Sequence, residues 1–595
     1  MKWLLKLDRT PRLLILSLFL GIVGGLGAEL FLFMLHWGDI YLLGFLGHYK
    51  PIDVASAHAT AAAPKPFTHW YWWVPVATTV GGLATGLLVY SLAPEAEGHG
   101  TDAAVKAFHQ GNGRMRARVP LVKGIASAIT IGSGGSAGRE GPTAQIAAGV
   151  GAIVGSIFKL PDDERRYIVL MGMAAGLSAI FKSPLGTAIF AVEILYSRMA
   201  FEGGALIYTL ISAAVAYAII GVFQGFTPLF LLPRQTGIGP SYNLVWFAVL
   251  GLGAGLLGAV LPTVFYRTRD WFASIKIPNH FKPAIGGLAV GVIGIALPPL
   301  LGGGYGYIQY ALAGGAGLAV WFLLLLSLGK ILALSLTIGS GGAGGVFAPS
   351  LYVGAMLGAS FAALLALFHL DINATALAVV GMAALFAGAA RVPIATLVMV
   401  VEMTGGYGLI MPTMVAVALA FVVQFTLTRR SRYPTLYEAQ VSTPADSPVY
   451  RDLFYETAAD LLRRQQVRLD RDILNSELQY ALDRGEGIAL RRRKEQLYSL
   501  NLAAGTPVAG KEVRSLGLAD MGVLIVGLIR GESEIVPHGG TKLQVGDGLL
   551  VAAAGDSIEK FRELIAPSVK NNHDKNDEDK AERASEDDGS EPTSA

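Results

Sequence analysis

The chain has 595 residues, 53% of them hydrophobic and 15% charged, with a mean hydropathy of +0.50. A soluble domain of ordinary make-up carries about 25% charged residues, so the composition argues against an ordinary cytosolic enzyme. No cysteine is present, which removes disulfides, thiolate metal sites and cysteine nucleophiles. A net charge of +3 is too weak to argue for a nucleic-acid partner. What remains is a polytopic membrane protein, and 74 glycines suit closely packed membrane helices.

The first eleven residues or so, to Arg12, are basic, and Leu13 to Ala28 is apolar. A cleavable signal peptide and an uncleaved first helix are both readings of this pattern. The apolar run continues through Phe31, Leu32, Phe33, Met34 and Leu35, long enough to span a bilayer, which favours the helix with its basic start in the cytoplasm. Further apolar segments are predicted at 71–93, 117–131, 143–157, 166–180, 184–198, 205–223 and 243–267. They continue at 283–300, 317–338, 347–368, 374–390, 392–403 and 410–428, where Arg429-Arg430-Ser431-Arg432 follows as a cytoplasmic basic cluster. Several are shorter than the roughly 20 residues a crossing needs, the pattern of discontinuous helices in transporters. Trp70-Tyr71-Trp72-Trp73 reads either as an interfacial belt or as core packing.

The membrane part repeats itself. Thr130-Ile131-Gly132-Ser133-Gly134-Gly135 recurs as Thr337-Ile338-Gly339-Ser340-Gly341-Gly342, an offset of 207. Gly172-Met173-Ala174-Ala175 recurs at Gly381, Pro184 at Pro393 and Val192-Glu193 at Val401-Glu402, each at an offset of 209. The spacing alone leaves open whether the halves are inverted.

In both halves a glycine-rich stretch opens a helix: Gly138-Arg139-Glu140-Gly141-Pro142 and Gly344-Gly345-Val346-Phe347-Ala348-Pro349. Proline suits a first helical turn, and glycine lets backbone N–H groups approach a ligand. Free N–H groups and the positive end of the helix dipole make an anion site that carries no full charge. Such a site binds firmly enough to admit an ion and weakly enough to release it.

These residues resemble the CLC family of chloride channels and proton-coupled exchangers. Gly138 to Pro142 reads as the family's G-R-E-G-P, Gly345 to Pro349 resembles G-[I/V]-F-A-P, and Glu402-Met403-Thr404-Gly405 fits the second-half E-M-T segment. The resemblance covers about residues 10 to 440 and implies two inverted halves, a homodimer and a separate pore in each subunit. The implied fold is an all-α polytopic membrane domain (1–440, repeats about 10–230 and 240–440) in the cell membrane, a bacterial inner membrane, with both termini cytoplasmic. By the same resemblance Glu140 is the gating carboxylate and Gly141 belongs to its motif. Val346 and Phe347 donate backbone N–H groups to the anion, and Tyr437 faces the inner end of the path. Without the family, Tyr437 reads as an interfacial aromatic. An Arg139–Glu140 pair is disfavoured, since neighbours on a helix point about 100° apart.

Two departures stand out. The family's G-S-G-x-P motif falls on Gly98-His99-Gly100-Thr101-Asp102. His99 then either donates an N–H to the anion or turns away and leaves binding to the backbone, which keeps chloride and nitrate both open. Proton-coupled members carry a second glutamate after the first acid of an E-E pair, whereas this chain reads Val192-Glu193-Ile194. Isoleucine cannot relay a proton. The expectation is therefore channel-like conduction gated by Glu140, with proton coupling weak or absent and Glu193 the residual proton-pathway candidate. The alternative is a proton-coupled chloride antiporter. Lys123, inside an apolar run, is expected to face the pathway or pair with an acid, and Lys182 to snorkel.

After Tyr437 charge returns. Residues 448–499 read as helical, forming a linker over 441–495, and a small α/β (α+β) domain follows over 496–567 with strands at Val523–Ile529 and Gly548–Ala553. Gly505 to Lys511 and Val545 to Val551 resemble the RCK C-terminal regulatory domain. That resemblance implies dimerisation and a small ligand such as a nucleotide, with a ligand-free stabiliser as the plain alternative. From Lys570 to Ala595 nine Asp/Glu face four Lys/Arg, and the stretch 568–595 reads as a disordered tail. The regulatory module alone would fit a ligand-regulated cation transporter, but no T-V-G-Y-G filter is present. A membrane enzyme would need an H-E-x-x-H, which is absent, or a clustered Asp/His constellation, whereas the ten histidines are scattered. No cofactor or metal is expected.

Overall fold

The computed structural model describes residues 6–52, 54, 70–233, 236–237, 239–314, 318–370, 372–449, 488–489, 495–518, 520–530, 533–535 and 537–566. It divides into two compact units, 1–447 and 448–595.

Sixteen helices build the first unit among the described residues, in two series of eight. The first runs α1 Arg9–Gly38, α2 Val74–Leu92, α3 Thr101–His109, α4 Arg118–Gly132, α5 Glu140–Ile157, α6 Asp162–Phe181, α7 Pro184–Glu193 and α8 Gly203–Gln224. The second runs α9 Leu244–Ser274, α10 Lys282–Ala296, α11 Tyr305–Leu312, α12 Val320–Gly339, α13 Phe347–Leu367, α14 Ala374–Ala390, α15 Pro393–Thr404 and α16 Ile410–Thr428. Seven of the described helical segments are long and apolar enough to cross a membrane. Others are half-length: α7 has ten residues, about 15 Å at 1.5 Å per residue, against a hydrocarbon core of about 30 Å.

The same local chemistry ends and restarts the helices in both series. Lys182 closes α6 and Arg391 closes α14 in the left-handed region, at φ 54° and 57°. The next residue, Ser183 or Val392, is non-helical because it precedes a proline. Pro184 and Pro393 then open α7 and α15, where a missing N–H costs nothing. Strongly apolar residues lie on the outside, among them Leu30, Phe33, Leu256, Val422 and Leu427, as expected of a surface that meets lipid. Trp70, Trp72 and Trp73 are also exposed, which leaves the interfacial reading of that cluster and removes the core-packing one.

The halves meet through residues the repeat pairs with each other. Gly138 and Gly345, 207 positions apart, exchange both backbone hydrogen bonds, at 2.7 and 2.6 Å. Around them the Ser136 amide donates to Thr337 Oγ1 (2.9 Å) and the Ala343 amide to Thr130 Oγ1 (3.4 Å). An antiparallel exchange between equivalent residues is the mark of a local two-fold, so the duplicated halves are inverted.

The second unit is a five-stranded antiparallel sheet in the order β1-β2-β5-β3-β4. Its strands are β1 Ile488–Ala489, β2 Glu495–Asn501, β3 Val523–Arg530, β4 Ser533–Ile535 and β5 Gly548–Ala554, with α17 Gly555–Ile565 following. Val508, Leu528, Val551, Ile558 and Phe561 make its core. Residues 495–499, read from the sequence as helical, are strand, because pairing with β5 over Glu495–Asn501 overrides local preference. The rest of the helical reading over 450–487, and the acidic tail, lie outside the described residues.

Candidate functional site

The Gly138–Gly345 bridge holds two helix starts against each other. Glu140 begins α5 and Phe347 begins α13, and first-turn amides of a helix have no acceptor of their own. The Glu140 carboxylate is 1% exposed and reaches across the bridge, where Oε2 accepts from the Ala348 amide at 3.4 Å. Its other oxygen, Oε1, is buried with no hydrogen-bond partner in the structure. Arg139 does not pair with it: its guanidinium lies over the Tyr305 ring, 4.5 Å from the centroid. The segment has no room for side chains. A Cβ on Gly141 would run into the His99 carbonyl, and one on Gly100, at φ 85°, into the Gly141 carbonyl.

A family model described as voltage gated chloride channel matches residues 81–424, more than half of the chain. The chain belongs to the voltage-gated chloride channel (CLC) family. A second model, the TrkA-C domain, matches residues 497–566, so the soluble unit carries the regulatory module the sequence resembles. Relatives include the H(+)/Cl(-) exchange transporter ClcA of Salmonella arizonae, 31% identical over 444 residues, 73% of this chain and 90% of the relative. The putative chloride channel protein ClcB-like of Ralstonia nicotianae is 31% identical over 364 residues, 59% of this chain and 82% of the relative. In fold the chain is similar to a slow cyanobacterial Cl−/H+ antiporter, with a TM-score of 0.59, 24% identity and coverage of 72% and 96%. It is also similar to a CLC-type fluoride/proton antiporter, with a TM-score of 0.60, 21% identity and coverage of 73% and 98%. This CLC protein is thus a membrane anion transporter.

Around Glu140 the CLC chain brings together most of the residues its motifs single out. Phe347 sits among Phe181 and Phe386, at 4.4 and 4.1 Å between ring centroids, and Val346 is the N-cap of α13. Phe386 leads on to Tyr437 at 6.5 Å. Tyr437 is 1% exposed and joined to Thr101 by a side-chain hydrogen bond, so it is a buried residue and not an interfacial aromatic. His99 stacks edge-on against Tyr437 at 5.4 Å. A cavity of about 730 Å³ opens beside it, lined by Gly98, His99, Gly100, Asp102, Gln145 and Arg269 among others.

His99 neither points freely at an anion nor turns wholly away. Its Nε2 lies 3.1 Å from Asp102 Oδ2, while its buried Nδ1 has no hydrogen-bond partner. Asp102 also accepts from the amides of Glu438 and Ala439, at 3.1 and 3.2 Å. The acid that replaces the motif's proline therefore clamps both the histidine and the segment behind Tyr437, a role that one-dimensional reading did not supply.

Glu193 stands apart from this group. Its Oε1 accepts from the Ile394 amide (3.2 Å) and its Oε2 from the Ala395 amide (2.7 Å) at the start of α15. Lys123 does not pair with an acid: its ammonium donates to the carbonyls of Ala96 (2.9 Å) and Gly98 (2.6 Å). Lys330, overlooked in the sequence although it lies 207 positions after Lys123, does the same for Leu300 (2.9 Å) and Gly302 (2.6 Å). These two buried cations fix the glycine turns, at Gly98 and Gly302, that precede α3 and α11. Lys182 does not snorkel freely, since it donates to the carbonyls of Gln224, Gly225 and Thr227 within 3.3 Å.

Proposed function

We propose that the protein exchanges chloride for protons across a bacterial inner membrane. The carrying observation is the seat of Glu140: one oxygen on the first-turn amide of the opposite repeat, the other unpartnered. A carboxylate there occupies the donors an anion would use. Protonation removes its charge and frees them, so each passage of an anion is tied to a proton. His99, Gly100 and Tyr437 line the inner approach, and the amides of Gly141, Val346 and Phe347 complete the donor set.

The channel-like reading built on Ile194 gives way here to antiport, in keeping with relatives that carry the exchanger name over 90% of their length. The inner proton acceptor is then another acid. Glu193 is engaged as a helix cap. Glu202, eight residues past Ile194, is buried, accepts from the Tyr196 hydroxyl at 2.8 Å and donates its amide to the Val192 carbonyl at 3.2 Å. It is the carboxylate we assign to the inner step.

The remaining roles follow the family resemblance: a homodimer with one pathway per subunit, both termini in the cytoplasm, and a small ligand, a nucleotide, on the TrkA-C unit. The test is chloride efflux from liposomes holding the purified protein, with internal pH recorded. Protons driven uphill in fixed ratio to chloride support exchange. Chloride flux without proton movement overturns it in favour of a channel, and no anion flux with either wild type or Glu140→Ala overturns both.

A further inference from the structure

Five arginines converge on a second cavity, of about 380 Å³, lined by Arg198, Arg269, Arg391, Arg429 and Arg432, with Glu438 as the one acid among its lining residues. Arg269 is held by Glu438 at 2.5 Å, and Arg432 by Asp270 at 3.4 Å. Arg198, Arg391 and Arg429 have no acidic partner within 4 Å among the described residues.

Arg391 carries the argument. It is 5% exposed, yet its partners are neutral: Nε donates to Gln424 Oε1 (3.1 Å), Nη2 to Thr428 Oγ1 (2.8 Å), and the guanidinium lies over the Phe425 ring at 4.8 Å. A buried guanidinium held only by neutral acceptors keeps its charge available to an anion. Its repeat counterpart Lys182, in the same left-handed turn 209 positions earlier, has its charge met by three carbonyls. Both turns thus hold a cation on neutral acceptors, and at Arg391 four further arginines line the same cavity.

We propose that this cavity binds a phosphate group, carried either by an acidic phospholipid headgroup or by a free phosphoanion. Guanidinium forks match phosphate oxygens bidentately, and the Ser197 and Ser442 side chains among the lining add neutral hydroxyls. A basic pocket between membrane helices suits a headgroup, and the exposed Val422 and Leu427 on α16 place lipid beside it. The Tyr266 and Arg269 walls are shared with the cavity next to His99, so an occupant would brace the segment that carries Tyr437.

The test measures binding and does not depend on the transport reading. Full-length protein in phosphatidylcholine nanodiscs is titrated with inorganic phosphate. In parallel, delipidated protein is given phosphatidylglycerol and the bound lipid is counted by native mass spectrometry. Saturable binding in either arm is expected, and which arm responds identifies the source. Arg198→Gln/Arg429→Gln, two exposed positions, should weaken it at least about tenfold, the loss of charge-assisted hydrogen bonds. Arg198→Gln alone serves if the pair does not fold, and Arg430→Gln, outside the cavity, should leave binding unchanged. No binding in either arm overturns the proposal, as does an equal loss with Arg430→Gln. So does complete displacement by sodium chloride at matched ionic strength, which would mark a diffuse basic surface.

Discussion

Glu193 and Glu402, 209 positions apart, cap each other's helices. Glu193, the last residue of α7, accepts the first amides of α15. Glu402, near the end of α15, accepts from the Gly186 amide (2.8 Å), the Leu185 amide (3.3 Å) and the Ser183 hydroxyl (2.5 Å) at the start of α7. Two half-length helices with prolines in their first turn thus receive from each other the acceptors that water supplies elsewhere, and a carboxylate there also meets the positive end of the dipole.

Glu193→Ala should accordingly lower stability by about 1–3 kcal/mol, the cost of stranding buried donors, with Glu193→Gln losing less because its amide oxygen still accepts. Denaturation of the solubilised protein measures both. In liposomes Glu193→Gln should keep the proton-to-chloride ratio of wild type, whereas Glu202→Gln should lose proton movement and retain chloride flux.

Glu140→Gln removes the charge that competes for the amide of Ala348 while keeping the side chain's shape. Chloride flux should persist without proton coupling, and its pH dependence should flatten. In the wild type flux should rise as pH falls, because protonation is what releases the carboxylate. Flux assays across a pH series check the sign, and a Glu140→Gln variant as pH-sensitive as wild type would contradict the gate.

Asp102→Ala should loosen His99 and the Glu438 and Ala439 amides together. A buried bond to a charged acceptor contributes about 1.5–3 kcal/mol, and the partial exposure of Asp102 screens its three contacts to a fraction of their sum. We expect a fall in stability of about 2–3 kcal/mol and at least about tenfold weaker chloride binding by calorimetry. His99→Ser restores the family's hydroxyl, and it should bind chloride without recovering the Asp102 contact.

In the soluble unit Arg530 holds the buried Asp547 through Nε–Oδ1 and Nη2–Oδ2 contacts of 2.8 Å each, and the Gln544 amide adds a third at 2.7 Å. Burial pushes this carboxyl up, but the Arg530 and Gln544 bonds outweigh it and hold it below the ordinary carboxylate range. A lowered carboxylate stabilises above the unfolded value of about 3.9, and that contribution disappears as pH falls through the folded value. Hydrogen-exchange protection in Val523–Arg530 of the full chain, corrected for the intrinsic pH dependence of exchange, should fall on acidification in wild type. Asp547→Asn should be less protected at neutral pH, and its protection should change less with acid.

Much of the membrane unit was legible in one dimension. The boundaries of α14 and α16, Ala374–Ala390 and Ile410–Thr428, coincide with apolar runs because prolines, glycines and charges punctuate them. Residues 495–499 misled because their charged, leucine-bearing run looks helical, and only a distant partner strand makes it β. Lys330 is signalled by the repeat offset of 207 from Lys123.

Composition, apolar periodicity and the doubled motifs determined a duplicated membrane protein with two glycine-rich helix starts and one acid at the first of them, since those properties are local or recur at fixed spacing. Only the tertiary structure decided which amide Glu140 sits on, that Glu193 is a cap, that Asp102 clamps His99 to the Tyr437 segment, and that Arg391 faces other arginines. Each of those is a contact between residues hundreds of positions apart or on different helices. Hydrogen bonds and charges act over a few ångströms of space, which spacing along the chain does not specify.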